Sequence, residues 1–332
     1  MKVRGAIAEK YAEFATYAAD DSPCFEDWAL GVAHDPAAHE WLATLPDVKQ
    51  QPNLVFAAAR WHGVPAPAPY DALRSALLAD DGSIRATILD RATQTNEAGR
   101  MATLLPAIVL AAEGRPVALL EAGASAGICL FPDRWSYEWS TADGVRRLAP
   151  DPAAPTLTCA VTGPAPLPAE LPDVRWRGGI DLNPLDVRSE ADLSWLLTLV
   201  WPEHDDRRAQ LARAIEVARA DPPTLHQGDL LDLLPGVVDE AAAAVGPDGL
   251  VIVFHSAVIA YLDDAARDRY DELVRGLVSA GRCRWISNEG RHVLPTVTAT
   301  GPPPPSGQFV LGLDGVSLGH THGHGRTLHW WE

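Results

Sequence analysis

The first part of the chain has apolar positions that recur at steps of three and four residues. This spacing, which is typical of amphipathic α-helices, is seen in AEKYAEFATYAA, FEDWALGVA, NLVFAAARWHG and YDALRSALLAD. Pro23, Pro36 and Pro52 stand where a first helical turn tolerates proline. No segment before Pro116 carries a strand pattern of any strength. The pattern predicts a helical cap or accessory region over residues 1–115.

After Pro116 the pattern changes to short apolar or β-rich runs separated by helical segments. VALLEAGASAGICL is an apolar run followed by a turn of small residues and a predicted helix start. Further strands, each ending in polar residues, are predicted in VRWRGGIDLNP, TLHQGD, GLVIVFHS and RCRWISNEG. Helices are predicted in ADLSWLLTLVW, DDRRAQLARAIEVARA and YDELVRGLVSAG. This alternation predicts an α/β domain over residues 116–332, with a doubly wound, mostly parallel, Rossmann-like sheet.

Two segments depart from the alternation. FVLGLDGVSLGHTHGHGRTLHWW has the pattern of two strands joined through Asp314-Gly315, which is a strong hairpin signal. The sheet is therefore expected to end in an antiparallel hairpin. Residues 132–173 are rich in proline and too long for a usual connection between a strand and a helix. We interpret them as an insertion near the mouth of the sheet, with a small β excursion at TLTCAV.

Composition and charge narrow the classes of function. A chain of 332 residues that is 47% hydrophobic can bury a sizeable core, whereas a net charge of −17 without long basic runs disfavours a nucleic-acid-binding surface. The longest apolar runs fall short of the ~20 residues that span a bilayer. The start of the chain carries charges where a signal peptide is apolar, and the four cysteines form no CxxC pair. We expect a cytoplasmic protein that acts on a small molecule, with no nucleic-acid or membrane partner.

The segment EAGASAG at 121–127 has two interpretations. As G-x-S-x-G it is a nucleophile elbow, with Ser125 as the nucleophile of a serine hydrolase. A triad would then need Asp229 with His255, or Asp263 with His322, and the spacing selects neither pair. As E-x-G-x-x-x-G it is a ligand-binding loop after a strand, in which glycines let the backbone approach a ligand and a helix N-terminus offers N–H groups.

The order of elements favours the ligand-binding interpretation. The turn follows the first strand of the α/β domain, whereas a hydrolase elbow normally follows several strands. Later strands end in Asp181, in Gly228-Asp229 and in His255-Ser256, and open α/β sheets bind ligands at these strand ends. Asp181 is placed to accept hydrogen bonds from a ribose. The serine hydrolase and a non-catalytic ligand-binding protein remain as alternatives.

A resemblance to known families rests on several of these segments. LLEAGASAGICL, GIDLNP, HQGDLLDLLP, VIVFHSAVIAYL and RWISNEG, in this order and with a terminal hairpin, resemble the motif series of class I S-adenosylmethionine-dependent methyltransferases. More closely, nearly the whole chain resembles the family named domain of unknown function 2332, including TQTNE at 93–97 and HGHG at 322–325. The resemblance implies a class I methyltransferase-type fold and methyl transfer from S-adenosylmethionine to a small molecule.

The same resemblance implies a role for individual residues. The first cofactor loop would be formed by Glu121, Gly123, Ser125 and Gly127, where Ser125 replaces the usual middle glycine. Asp181 would hold the ribose hydroxyls and Asp229 would lie by the adenine amino group. His255 and Ser256 would lie beside the methyl group or the substrate.

Candidate catalytic residues follow the fourth and fifth predicted strands. His255 is the first candidate for a general base because it follows the apolar strand VIVF, where the sheet opens to the crevice. Asn288 and Glu289 end the next strand and would adjoin it. The alternatives are a buried, hydrogen-bonded histidine that shapes the loop, and a loop or helix-cap role for Asn288 and Glu289.

Two polar segments are candidates for contact with the substrate. Gln94, Asn96 and Glu97 interrupt two apolar helices, and they form either a solvated turn or, as the family pattern favours, contacts to the ligand. In the tail we assign His322 and His324 to the substrate. Alternate spacing would put His320, His322 and His324 on one strand face, a geometry that can chelate a transition metal. No nearby acid or cysteine completes the set, so no metal site is predicted.

Overall fold

The computed structural model describes residues 2–94, 96–151 and 154–331. Thr95 of the polar segment and residues 152–153 of the predicted insertion lie outside the described residues. The α-helices are α1 (Lys2–Ala18), α2 (Pro23–His34), α3 (Pro36–Leu42), α4 (Pro52–Trp61), α5 (Tyr70–Leu78), α6 (Ser83–Asp90), α7 (Met101–Ala112), α8 (Glu190–Leu199), α9 (Asp205–Ala220), α10 (Leu230–Val245), α11 (Asp264–Ser279) and α12 (Pro295–Thr298). In the described part of the chain, no helix is long and apolar enough to cross a membrane.

The β-strands all follow Pro116, as the sequence predicts. They are β1 (Val117–Ala122), β2 (Ser136–Thr141), β3 (Gly144–Leu148), β4 (Thr156–Thr162), β5 (Val174–Asp181), β6 (Thr224–Gln227), β7 (Leu250–Ser256), β8 (Arg284–Gly290), β9 (Gln308–Leu313), β10 (Val316–His322) and β11 (Thr327–Trp330). Strands β1, β5, β6, β7 and β8 form at the five segments where the apolar runs predict them.

The chain divides into two compact units. One consists of Met1–Thr95 with Ser189–Ala212, and the other of Asn96–Arg188 with Arg213–Glu332. This division differs from the predicted boundary at residue 115. Helix α7 is apolar around its whole circumference and contacts strands of the sheet, so it belongs to the second unit. Helix α8 belongs to the first, because Trp195 is buried in the core of the helical unit.

Helix starts in the helical unit follow the predicted proline positions. Pro23, Pro36 and Pro52 each begin a helix, which confirms the sequence prediction. Two of these starts are capped by side chains: Ser22 Oγ accepts a hydrogen bond from Phe25 N, and Asp35 Oδ1 accepts one from Ala37 N. The core of this unit is rich in aromatic side chains, and the ring of Phe25 contacts those of Trp28, Phe56 and Trp201.

The described strands form one sheet of eleven, in the order β3-β2-β4-β11-β10-β9-β8-β7-β1-β5-β6. Strands β8, β7, β1, β5 and β6 are parallel. From β6 to β8 the five strands are the third, second, first, fourth and fifth of the parallel set along the chain, the order of doubly wound α/β sheets. All six residues of β1 are buried, as expected of a parallel strand covered on both faces. The predicted α/β class with a mostly parallel sheet is confirmed.

The tail and the insertion extend this sheet. Strands β9 and β10 are antiparallel and joined at Asp314-Gly315, where both residues have positive φ, so the predicted hairpin is confirmed. The tail adds a third strand, β11, that the sequence pattern does not separate from the second. The insertion contributes β2, β3 and β4, and β4 pairs in parallel with β11. The predicted β excursion at TLTCAV therefore exists and is joined to the main sheet.

The prediction of an α-helix directly after the β1 turn is wrong. Gly127 has φ +69°, and two short 3-10 turns, Ile128–Leu130 and Pro132–Arg134, follow it instead of an α-helix. Phe131 precedes Pro132, and a residue before proline is disfavoured in helical geometry. The chain therefore has too few residues between Gly127 and Pro132 to propagate a helix, and it enters the insertion instead.

Candidate functional site

The sequence predicts a ligand crevice at the strand ends, and these ends lie at the place where the strand order reverses. Strands β1 and β7 are neighbours, and the chain continues from β1 toward β5 but from β7 toward β8. The loops at 123–127 and 256–259 meet there. Gly123 has φ +72°, and a Cβ built on it would lie 2.4 Å from Cγ1 of Val258. Only glycine therefore fits at this position, because the side chain of Val258 packs against its α-carbon.

Both loops contain a strained residue. Ser125 has φ +51° and Ala257 has φ +60°, in a region that residues with a Cβ rarely adopt. Such a conformation costs about 1–3 kcal/mol, and residues of this kind are concentrated at ligand and active sites. The strain at the ends of β1 and β7 marks the reversal point as a candidate ligand site.

Asp181 links the end of β5 to the loop after β1. Its Oδ2 accepts a hydrogen bond of 2.8 Å from Ser125 N, and its Oδ1 accepts one of 2.8 Å from Asn183 N. The residue is half-buried, and each carboxylate oxygen retains a further lone pair. Asp229 has a different setting: it is exposed, and its Oδ1 caps α10 by accepting a hydrogen bond of 2.8 Å from Leu231 N.

The polar segment at 93–97 divides between the two units. Gln94 belongs to the helical unit, whereas Asn96 and Glu97 belong to the sheet unit. Asn96 Nδ2 donates a hydrogen bond of 2.7 Å to Ser125 Oγ, and Asn96 Oδ1 accepts one of 3.3 Å from Ala126 N. Asn96 thus contacts the loop after β1, where the family pattern suggests a ligand.

Glu97 pairs with a histidine from the tail. The Glu97 carboxylate is buried, and its Oε2 lies 3.3 Å from Nδ1 of His324, whose ring is partly exposed. The backbone N–H of His324 donates a hydrogen bond of 3.0 Å to His322 Nδ1. Two of the predicted substrate-binding residues, Glu97 and His324, therefore form one pair. A carboxylate within ion-pair distance of an imidazole can stabilise the protonated ring.

Arg100 is a residue of this region that the sequence analysis missed. Its buried guanidinium donates hydrogen bonds of 2.8 Å from Nε to Gly323 O and of 2.8 Å from Nη1 to Ser256 O. It thereby ties the start of α7 to both the tail turn and the end of β7. The sequence does carry a signal, because Arg100 stands alone directly before the uncharged and almost wholly apolar segment MATLLPAIVLAA.

His255 lies in a buried hydrogen-bond network instead of facing the crevice with a free nitrogen. Its Nε2 accepts a hydrogen bond of 3.0 Å from Trp285 Nε1. Because an indole N–H only donates, Nε2 carries no proton, and Nδ1 must donate to Glu289 Oε1 at 2.7 Å. Both ring nitrogens are thus engaged, which favours the interpretation as a buried histidine that shapes the loop over that as a general base.

Glu289 and Asn288 are buried and hold neighbouring backbone in place. Glu289 Oε1 also accepts hydrogen bonds of 2.9 Å from Val258 N and of 3.1 Å from Ile259 N, and so fixes the turn that covers Gly123. Asn288 Nδ2 donates to Ser256 Oγ at 2.9 Å, and its Oδ1 accepts from Thr321 Oγ1 at 2.7 Å. This geometry matches the loop role named as the alternative for both residues.

Glu121 is the acid at the end of β1. Burial raises the pKa of its carboxyl well above the ordinary value of 4.5, although the charge of Arg100 opposes this shift. Its Oε2 is buried and has no hydrogen-bond partner. Glu121 is thus a buried acid that prefers the neutral form.

This raised pKa predicts a pH-dependent effect of Glu121→Gln. An acid whose folded pKa exceeds its unfolded value destabilises the folded state progressively as pH rises above 4.5, and glutamine lacks this penalty. We expect the stability of the variant relative to wild type to increase with pH, by up to about 1.4 kcal/mol per unit. Urea unfolding of both chains between about pH 5 and pH 8 measures the difference. A difference that does not change with pH would contradict the prediction.

The catalytic triads considered for a serine hydrolase are not assembled. Ser125 Oγ is hydrogen-bonded to Asn96, and His255 is bonded to Trp285 and Glu289. Asp263 caps α11 by accepting a hydrogen bond of 2.8 Å from Ala266 N. Within the described part of the chain, Ser125 therefore has no histidine as a hydrogen-bond partner, although its positive φ resembles that of a nucleophile elbow.

The tail histidines do not share one strand face as the alternate spacing suggests. Strand β10 ends at His322, so His324 lies in the turn that follows. Among residues 2–94, 96–151 and 154–331, no group of three or more histidine, cysteine, aspartate or glutamate side chains is arranged to hold a metal ion. All four cysteines are buried and free.

The strand order and the polar loops at its reversal point define a mixed α/β protein with a doubly wound, mostly parallel sheet. Comparison with protein families gives a match over residues 8–330 to domain of unknown function 2332, described as an uncharacterized protein conserved in bacteria. The chain belongs to this family, as its motifs predict. No curated protein and no solved structure matches it.

Proposed function

We propose that the protein is an S-adenosylmethionine-dependent methyltransferase that acts on a small molecule, with a class I methyltransferase-type arrangement of the sheet unit. The observation that carries the proposal is the carboxylate of Asp181. It stands at the end of the strand beside β1, half-buried, and is fixed by backbone hydrogen bonds from Ser125 and Asn183. In doubly wound sheets an acid at this position accepts hydrogen bonds from ribose hydroxyls.

Several residues at the strand ends would suit an adenosyl group. Both oxygens of Asp181 have a lone pair left for a ribose hydroxyl. Leu182 and Tyr261 are large apolar side chains that stay exposed just after β5 and β7, and they offer a surface for the adenine ring. Val258 fills the space against Gly123, so a cofactor would contact Val258 there instead of the glycine backbone.

The chain's own residues would supply positioning and proton acceptance. When bound, the cofactor provides an electrophilic methyl group, and its in-line transfer depends mainly on proximity and orientation. Asn96, Arg100 and the tail turn would position the acceptor beside the loop after β1. His324, which lies beside the carboxylate of Glu97, would accept the proton of an acceptor hydroxyl or ammonium, since both nitrogens of His255 are engaged.

Calorimetric titration with S-adenosylmethionine and with its demethylated product tests the proposal. We expect one site per chain, and we expect Asp181→Asn to weaken binding at least about tenfold because a neutral amide accepts ribose hydroxyls poorly. Asp248→Asn is the matched control: Asp248 is exposed at the opposite end of the sheet, just before β7. If folded wild type binds neither compound, the proposal fails.

The hydrolase alternative predicts a different result. A fluorophosphonate probe labels a serine whose hydroxyl is activated by a neighbouring base. Because Ser125 Oγ is hydrogen-bonded to Asn96, we expect no labelling of the wild-type chain at Ser125. Mass spectrometry of the peptide that contains residue 125 gives the readout, with Ser125→Ala as the blank. Labelling that disappears in Ser125→Ala would revive the hydrolase function.

A further inference from the structure

A row of polar side chains crosses three adjacent strands of the tail and the insertion. Thr162 of β4 pairs with His329 of β11, and His329 pairs with His320 of β10. The two imidazole ring centroids lie 4.8 Å apart, with an angle of 26° between the ring planes. Both histidines are partly exposed. Strand β11 lies inside the sheet, between β4 and β10, so the pair stands on a rigid surface and not on a loop.

The separation of the rings suits a shared metal ion. A nitrogen–metal distance of about 2.1 Å puts each ring centre roughly 3.2 Å from the ion, and two rings at tetrahedral or octahedral angles are then about 4.6–5.2 Å apart. The observed distance falls in this range, and a rotation of the His320 ring out of its stacked orientation turns the in-plane lone pairs of both rings toward one ion. Imidazole nitrogen is a preferred ligand of Zn²⁺, Cu²⁺ and Ni²⁺.

The surroundings of each ring leave Nε2 as the nitrogen that can bind a metal ion. His329 Nδ1 lies 2.8 Å from Thr162 Oγ1, and a hydroxyl that accepts the Nδ1 proton leaves Nε2 with a lone pair. His320 Nδ1 is buried and has no hydrogen-bond partner, so Nε2 is the nitrogen through which this ring can reach a solvated ion.

We propose that His320 and His329 bind one divalent transition-metal ion through their Nε2 atoms, with solvent or a second ligand completing the coordination. The site is separate from the residues assigned to methyl transfer. Trp331 packs against both rings, with ring centroids 5.2 Å from His320 and 5.1 Å from His329.

Titration of the tag-free, full-length chain with Ni²⁺ and Cu²⁺ tests the site. We expect one equivalent to bind, and we expect His320→Phe and His329→Asn each to lower the affinity at least about tenfold. His320→Phe keeps a ring to stack on, and His329→Asn keeps a polar atom near Thr162, so both changes spare the packing. The Cu²⁺ complex should show the electron paramagnetic resonance signature of two imidazole nitrogens.

Two further chains define the controls. His292→Ala removes an exposed histidine of the same unit and should bind the ions like wild type. The double variant His322→Ala/His324→Ala should also retain binding, because neither residue belongs to the cross-strand row. The proposal is overturned if wild type shows no saturable binding, if either variant of the pair binds like wild type, or if binding is lost in the double variant alone.

Discussion

Replacement of Glu289 by alanine is expected to lower the free energy of unfolding by about 3–5 kcal/mol. One oxygen of this buried carboxylate accepts hydrogen bonds from His255 Nδ1, Val258 N and Ile259 N. Alanine would leave all three donors buried without an acceptor, and each unsatisfied donor costs about 1–3 kcal/mol. Urea unfolding followed by tryptophan fluorescence measures the loss.

Two comparisons separate this effect from the loss of a charge. Glu289→Gln keeps an acceptor oxygen, so it should lose clearly less stability than Glu289→Ala. Glu272→Ala removes an exposed glutamate from α11 of the same unit and should change stability by less than about 0.5 kcal/mol. Equal losses for Glu289→Ala and Glu272→Ala would show that the three hydrogen bonds do not hold the Val258 turn.

A methyl group added at Gly325 is the second change with a large expected effect. Gly325 has φ +76°, and a Cβ built there would lie 2.1 Å from the backbone oxygen of Gly99. Since backbone cannot rotate away as a side chain can, Gly325→Ala must push the tail turn away from the start of α7. We expect a loss of about 3 kcal/mol or more, the sum of backbone strain and displaced packing.

Gly281→Ala provides the matched control for Gly325→Ala. Gly281 has φ +68°, close to the φ of Gly325, but nothing lies within 4 Å of a Cβ built there. It should therefore show only the cost of the left-handed conformation, about 1–2 kcal/mol. The difference between the two variants measures the collision with Gly99. Indistinguishable unfolding curves would mean that the two segments are not in close contact.

Sequence patterns predict the local elements of this protein well and their long-range pairing poorly. Prolines locate the starts of α2, α3 and α4, and apolar runs locate the five parallel strands, because these signals act within a few residues. The α-helix expected after β1 does not form, because Gly127 and Pro132 leave too few residues between them for a helix. No local signal shows that β4 of the insertion pairs with β11, because the two strands lie far apart in sequence and meet only in the folded sheet.

Sequence patterns have the same limit at the candidate site, where they locate residues along the chain but not their long-range contacts. Asp181 at a strand end and Asn96 beside the glycine loop are found from position along the chain and from family motifs. Arg100 and the engaged nitrogens of His255 are not, because their roles depend on Gly323, Trp285 and other residues far away in sequence. A histidine after an apolar strand has the same sequence pattern whether both ring nitrogens are hydrogen-bonded or one is available for catalysis.

The position of β11 has a consequence for the synthesis of the chain. This strand joins β4 to β10, so the three insertion strands reach the rest of the sheet only through Thr327–Trp330. A ribosome therefore makes β2, β3 and β4 well before their attachment strand exists. Until Thr327–Trp330 emerge, β4 and β10 each lack their neighbour in the sheet, and unpaired strand edges of this kind recruit strands of other chains. Nascent chains stalled before residue 327 are the forms most exposed to aggregation.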